Sequence, residues 1–206
     1  MIEPDIEVAL SFLKFLFAAA MTDGYINVFT VEHQSGQRRT AWAPVDGIEK
    51  LRQPIWDFAY RGDVWFGCAL RREVLPNGQR GGLKDCLGIP ALWLDVDVNG
   101  PGHRTSGLAQ SYEEARLLIN RYPEKPDAVV RSGHGFQVWW KATEMLDQTE
   151  AITYLGRWRR TWLGYAKAAH IHLDDVWDLP RIMRLPGTYN WKEIEPVKVT
   201  ARWKER

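Results

Sequence analysis

Cysteine is nearly absent from this chain: Cys68 and Cys86 stand eighteen residues apart in 206, with no second pair. That excludes a disulfide framework and a zinc ribbon, so no structural zinc is expected, and both thiols read as reduced, part-buried groups of a cytoplasmic protein. Net charge is nearly absent as well. Lys plus Arg is 27 and Asp plus Glu is 26, and the balance of +1 gives no bulk attraction to nucleic acid or membrane. Any polyanion has to be held locally. No apolar run reaches the roughly 20 residues that a membrane span needs. The run from Val8 to Ala20 is broken by Lys14 and preceded by Glu3, Asp5 and Glu7, where a signal peptide would be basic. It reads as an amphipathic helix with Ile6, Leu10, Leu13 and Phe17 on one face, and no membrane partner is expected. Repeats and low-complexity stretches are missing too. The remaining composition, 45% hydrophobic and 26% charged, excludes disorder and describes one compact domain. A chain of this length buries roughly 70% of its unfolded surface without staples.

The order of elements follows from periodicity. Tyr25–Val31 reads as a strand, with HQSGQRR as the turn after it. Ile48–Tyr60 has helical spacing with a kink or restart at Pro54, and Asp63–Leu70 returns to strand composition. A Gly/Pro loop is expected from Arg71 to Pro90, of a length that is usually functional or mobile. Ala91–Val98 is the most strand-like segment and stops at Asn99-Gly-Pro-Gly. Ser111 caps a helix that carries Ala115, Leu118 and Ile119. Short strands at 128–131 and 136–141 flank Ser-Gly-His-Gly, a helix spans about 148–168, and 196–203 reads as a last strand. The mixture is an α+β, or mixed α/β, domain.

Asp95 and Asp97 carry the sharpest chemical signal. Residues two apart on a strand share a face, so two carboxylates stand side by side on a segment whose neighbours are apolar. Such a pair repels unless it is neutralised, and a divalent cation is the usual remedy. The plainer reading is an edge strand with Asp97 solvated beside its turn. A second acidic cluster, Asp174, Asp175 and Asp178, precedes Arg181 and Arg184. Two carboxylates from a strand and one from a distant segment make a ligand set for two-metal phosphoryl transfer, and guanidiniums suit a triphosphate. Alternatively, Asp178 and Arg181 form a helical i,i+3 ion pair worth a few tenths of a kcal/mol. In the Ser132–Gly135 turn, glycines let backbone approach a ligand, and His134 either donates to phosphate or is an exposed hairpin histidine.

In this order, LWLDVDV, SGHGFQVWW and LDDVWDLPRIMRLPGTYNWK resemble the three catalytic motifs of the archaeo-eukaryotic primase superfamily. The prim-pol (primase-polymerase) domains of phage and plasmid replication proteins are the nearest likeness. It spans roughly residues 63–192, and RIMRLPGTYNWK resembles that group's Arg-x-x-Arg-x-Pro-Gly-Thr-x-Asn-x-Lys signature. The resemblance implies an RRM-like catalytic sheet with helices, roughly 89–206, packed against a smaller N-terminal α/β unit, roughly 1–88, with the active site between them. It implies nucleotidyl transfer on a single-stranded DNA template and primer, from NTPs or dNTPs, with two Mg²⁺ or Mn²⁺ ions, and a helicase domain or protein as partner. Asp95 and Asp97 would bind metal, joined by Asp174, which follows Leu173 as the hydrophobic-Asp pattern asks; Asp175 is the alternative register. Ser132 and His134 match the Ser-x-His motif and would meet the nucleotide's phosphates. Many relatives carry the histidine where this chain has Gln137, so His134 and Gln137 are rivals. Arg181, Arg184 and Lys192 fall on the signature's basic positions.

Two other classes compete. His170-Ile171-His172 resembles the His-hydrophobic-His motif of HUH endonucleases, for which Tyr165 or Tyr189 would be the nucleophile. A non-catalytic single-strand-binding adaptor is the other. Eleven tryptophans are many for 206 residues, but Trp93, Trp158 and Trp162 sit at core positions of their elements, so burial is expected for them rather than base stacking.

Overall fold

A computed structural model describes residues 3–20, 23–100, 106–193 and 195–204. The chain runs α1 (Ile6–Phe17), β1 (Tyr25–Glu32), β2 (Arg38–Pro44), a 3-10 turn at Val45–Leu51, α2 (Arg52–Ala59), β3 (Gly62–Gly67), β4 (Leu70–Arg71) and β5 (Cys86–Asp97). It continues through α3 (Tyr112–Ile119), β6 (Ala128–Arg131), β7 (Gly135–Asp147), α4 (Gln148–Ala169), β8 (Ile182–Arg184), β9 (Tyr189–Asn190), β10 (Val197–Lys198) and β11 (Thr200–Trp203). Among the described residues no helix is long and apolar enough to cross a membrane.

The fold is mixed α+β. Nine strands form one antiparallel sheet in the order β11-β6-β7-β5-β4-β1-β3-β8, with β2 paired to β1, while β9 and β10 form a separate ribbon. The two residues of β4 carry the sheet across: Arg71 pairs with Tyr25 of β1 and with Cys86 of β5. Late in the chain, β8 returns to the first strands, with Trp65 opposite Arg184.

Local chemistry sets the boundaries. Asp5 accepts from the Val8 amide at the start of α1, Ser111 from Glu114 at α3, and Asp147 from Glu150 at α4, where Glu150 reaches back to the Asp147 amide. Pro54 falls in the first turn of α2, where its missing N–H costs nothing; the restart expected there is the change from 3-10 to α-helix.

Three expectations are corrected. The Arg38-Arg39 end of the expected turn belongs to β2, a strand that the polar residues before it conceal. β5 begins at Cys86 instead of Ala91, because a register shift between Ile89 and Ala91 lets Pro90 sit inside a strand. The expected 71–90 loop shrinks accordingly, and it is pinned: the buried Arg71 donates to the carbonyls of Arg80, Ala69 and Pro180. Pro101 and Gly102, expected in the turn after β5, lie outside the described residues.

Alternate residues of β5 and β7 face two layers. Trp140 meets Trp158 and Trp162 of α4, with Tyr122 between, while Trp139 meets Trp93, Phe12 of α1 and Phe66 of β3. The expected burial of Trp93, Trp158 and Trp162 is observed. Cys68 and Cys86 are both free and buried, and burial pushes both thiols up, which makes them poor nucleophiles.

Candidate active site

On β5, Asp95 stands opposite Gln137 and Asp97 opposite Gly135. Directly opposed residues of an antiparallel pair share a face, so the two carboxylates and the Gln137 amide lie together on the side of Trp93 and Trp139. Gln137 is only 5% exposed, and its Oε1 has no hydrogen-bond partner. Asp95 Oδ1 is likewise out of solvent and unbonded. Burial and then the Asp97 carboxylate push Asp95 from 3.8 up to about 7; Asp174 adds to the shift, while Arg184 and Arg181 oppose it. These groups therefore share one electrostatic neighbourhood.

The acidic segment is held beside β5 by tryptophans. The Trp93 carbonyl accepts from the indoles of Trp158 and Trp177, and the Trp93 indole donates to the Val176 carbonyl at 2.8 Å. Asp174 is exposed and lies 3.3 Å from His172 Nε2, while Asp175 is bound by Arg159 at 2.8 Å. Asp178 and Arg181 do form an i,i+3 ion pair, at 2.5 Å, though in a turn instead of the expected helix; Arg181 also donates to the Asp175 carbonyl.

Arg184 is paired with Asp63 of β3, with side-chain exposures of 14% and 19%. Its guanidinium lies 5.3 Å from the Trp65 ring centroid, and Asp63 also accepts from the Trp191 amide at 3.0 Å. Asp63 escaped the sequence reading, because its partner lies 121 residues away and no local pattern marks it.

The Ser132–Gly135 turn is packed against its neighbours. Its glycines serve close approach within the protein: a Cβ at Gly135 would fall 2.2 Å from the Val96 carbonyl oxygen, and Gly133, at φ +100°, faces Asn190. Asn190 donates to the Ser132 carbonyl at 2.7 Å and accepts from the Lys192 amide, tying the second and third motifs together. Ser132 is buried, and His134 Nε2 lies 3.5 Å from Glu193. Gln137 is thus the neighbour of Asp95 across the ladder, and His134 stands in the turn near the end of β5, where its carbonyl accepts from the Val98 amide. The Lys192 side chain is exposed. Gly187 has a packing role: a Cβ there would fall 2.2 Å from the Asp5 carbonyl oxygen at the start of α1.

The HUH pattern finds no matching geometry. His170 is the left-handed C-cap of α4 instead of a strand residue; Tyr165 packs on Trp162, and the Tyr189 hydroxyl donates to the Glu3 carbonyl.

The unbonded, buried Asp95 oxygen beside Asp97 fits a divalent cation, which would remove both the desolvation cost and the repulsion. Among the described residues, however, no three His, Cys, Asp or Glu side chains stand close enough together to hold one.

No protein-family model matches the chain, and no curated protein matches it in sequence. Solved structures do match in fold. The AEP domain of the cyanophage S-2L primase-polymerase superposes with a TM-score of 0.61 at 14% identity, over 97% of this chain and 90% of that one. Primase RepB' gives 0.56 at 14% identity, over 94% of this chain and 56% of that one. Its catalytic domain in complex with initiator DNA gives 0.55 at 15% identity, over 95% and 84%. The chain has the fold of the archaeo-eukaryotic primase, or AEP, domain of primase-polymerases.

Proposed function

We propose that this chain is a template-directed nucleotidyltransferase that makes or extends primers on single-stranded DNA from NTPs or dNTPs. The observation that carries the reading is the carboxylate pair of β5: one face, one oxygen buried and unbonded, and Arg184 close enough to act on its charge. The shared AEP fold supports it, and a fold neighbour solved with initiator DNA supports DNA as the partner.

Asp95 and Asp97 would hold Mg²⁺ or Mn²⁺, which when bound compensates the charge that develops on a reacting phosphate. The residues themselves do the rest. Asp63 holds Arg184 in place, so its fork meets a phosphate without losing freedom on binding. Arg181 is positioned by Asp178, and Lys192 adds an exposed charge at the same signature. Gln137 brings an amide alongside Asp95, and Ser132 and His134 line the turn beyond it. A primer 3′-hydroxyl, or that of a first nucleotide, attacks the α-phosphate of an incoming nucleotide and pyrophosphate leaves; such chemistry rests on positioning and charge compensation.

The test is incorporation of labelled nucleotide on single-stranded template, with and without primer, in Mn²⁺ and in Mg²⁺. Metal-dependent product is expected, and its absence from folded protein in every lane would sink the reading in favour of a binding adaptor. The third carboxylate can be separated in the same assay. Asp174→Asn is expected to lower incorporation at least about tenfold, as loss of a supporting metal-site group does. Asp175→Asn, which breaks only the exposed pair with Arg159, is expected to change it less than twofold. The reverse order would move the ligand to Asp175.

A further inference from the structure

The near-zero net charge requires any polyanion to be held locally, and one place away from the Asp95–Asp97 pair gathers arginines with no acid among the described residues that line it. A cavity of about 640 Å³ opens between α3 and the strands β11, β6 and β7, and no carboxylate lines it. Arg116 of α3, Arg131 of β6 and Arg202 of β11 stand around it over Ile119, Val129 and Phe136.

The ladder fixes which side it occupies. Val130 is opposite Gln137, which is opposite Asp95, so those three share the catalytic face. Arg131 is opposite Phe136, and Arg202 is opposite Val129, on the alternate positions. The cavity therefore lies on the other face of the sheet. Arg131 faces Thr200 on β11, which makes Arg202 its diagonal neighbour, about 7–8 Å away along the ladder. The Arg131 guanidinium rests over the Tyr112 ring at 4.6 Å, and among the described residues neither Arg131 nor Arg202 has a carboxylate partner. Arg116 has one, Glu113 at 2.9 Å, but that pair is mostly exposed to solvent and holds it weakly.

We propose that this arginine-lined cavity binds the sugar-phosphate backbone of single-stranded DNA, so that the strand is gripped on the face of the sheet opposite the chemistry. The proposal rests on the nucleotidyltransferase reading for its choice of polyanion. Two guanidiniums at neighbouring ladder positions, free of acids, match the repeating charge of a strand, and an apolar floor accepts a base or sugar without reading its sequence. A strand anchored here and reaching the carboxylates passes from one face of the sheet to the other, so it is held at two points instead of one.

The experiment is fluorescence anisotropy of a labelled oligo-dT 20-mer across a salt series in EDTA, which removes any metal contribution from the Asp95–Asp97 pair. Arg131→Glu/Arg202→Glu is compared with the unaltered protein and with Arg202→Ala, a milder change at an exposed position; matching melting temperatures confirm that the variants fold. The charge-reversed protein is expected to bind at least about tenfold more weakly and to lose about 1.4 from the slope of log K against log salt, about 0.7 for each phosphate contact. Arg202→Ala is expected to lose about half that slope. Unchanged affinity and slope in the folded variants would overturn the proposal, as would displacement of the oligomer by free dTTP or by polyglutamate as readily as by unlabelled strand. The two readings fail separately. Salt-sensitive binding that the substitutions weaken, in a protein that makes no product, leaves this site standing without the activity. Product formation with binding unaltered by the substitutions does the opposite.

Discussion

Replacing Asp95 by Asn is expected to abolish nucleotide incorporation, by about 10²–10³-fold or more, while making the metal-free protein more stable. Both effects follow from one atom. Asp95 Oδ1 is buried without a partner, and burial and Asp97 together push the carboxyl from 3.8 up to about 7. Between those two values the folded protein binds a proton that the unfolded chain has released, so stability falls as pH rises from about 4 to about 7 and levels off above it. At pH 8 the folded protein carries the whole cost of an ionised, desolvated carboxylate beside a second one. Asparagine has nearly the same shape and no charge to desolvate. Its gain in melting temperature should therefore be several degrees at pH 8, smaller at pH 5, and close to zero only below about pH 4, where Asp95 is protonated in the folded and the unfolded chain alike; each kcal/mol is worth about 2–4 °C in a domain of this size. Mn²⁺ should raise the melting temperature of the wild type at pH 8 and leave Asp95→Asn almost unmoved. A gain independent of pH would place its cause elsewhere in the fold, and an active, folded Asp95→Asn protein would remove Asp95 from the chemistry.

Asp95 was legible in the sequence because a strand's period of two is a local property: Asp-Val-Asp in an apolar run says which face both acids share. The same holds for α1, α3 and α4, whose caps and apolar stripes are written within a few residues of each other. What stayed hidden depends on partners far away in the chain. Asp63 looks like any acid at the start of a strand until β8 pairs with β3 and sets Arg184 against it. β2 opens on Arg38 and Arg39 and is only part-buried along most of its length, and it is a strand because β1 is there to pair with. Pro90 argued for a loop, and only the register shift beside it lets β5 start at Cys86. The glycines of Ser-Gly-His-Gly show the same limit in the site itself. Composition says that backbone comes close to something there, and the structure says that the something is Val96 and Asn190.

Arg184 carries the other large effect, and there structure and chemistry have to be pulled apart. Arg184→Ala is expected to lower incorporation at least about a hundredfold, the scale of losing one positioned donor to a reacting phosphate. It should also destabilise the fold, because Asp63, 19% exposed, keeps only the Trp191 amide. Breaking a fully buried pair costs about 3–5 kcal/mol; partial exposure makes this one smaller, about 2 kcal/mol. Loss of activity from Arg184→Ala alone would thus be ambiguous. Arg184→Lys keeps the charge and restores much of the stability, but it loses the planar fork that meets two phosphate oxygens at once, so activity should stay low. Asp63→Asn with Arg184→Met removes both charges together and fills the space over Trp65. Replacing an ion pair by neutral groups of similar volume is often neutral or stabilising, so the fold should recover close to wild-type stability. Incorporation should not recover with it. If the neutral pair restores product formation along with the melting temperature, Arg184 serves the sheet rather than the nucleotide; if stability returns and activity does not, the guanidinium itself meets the substrate.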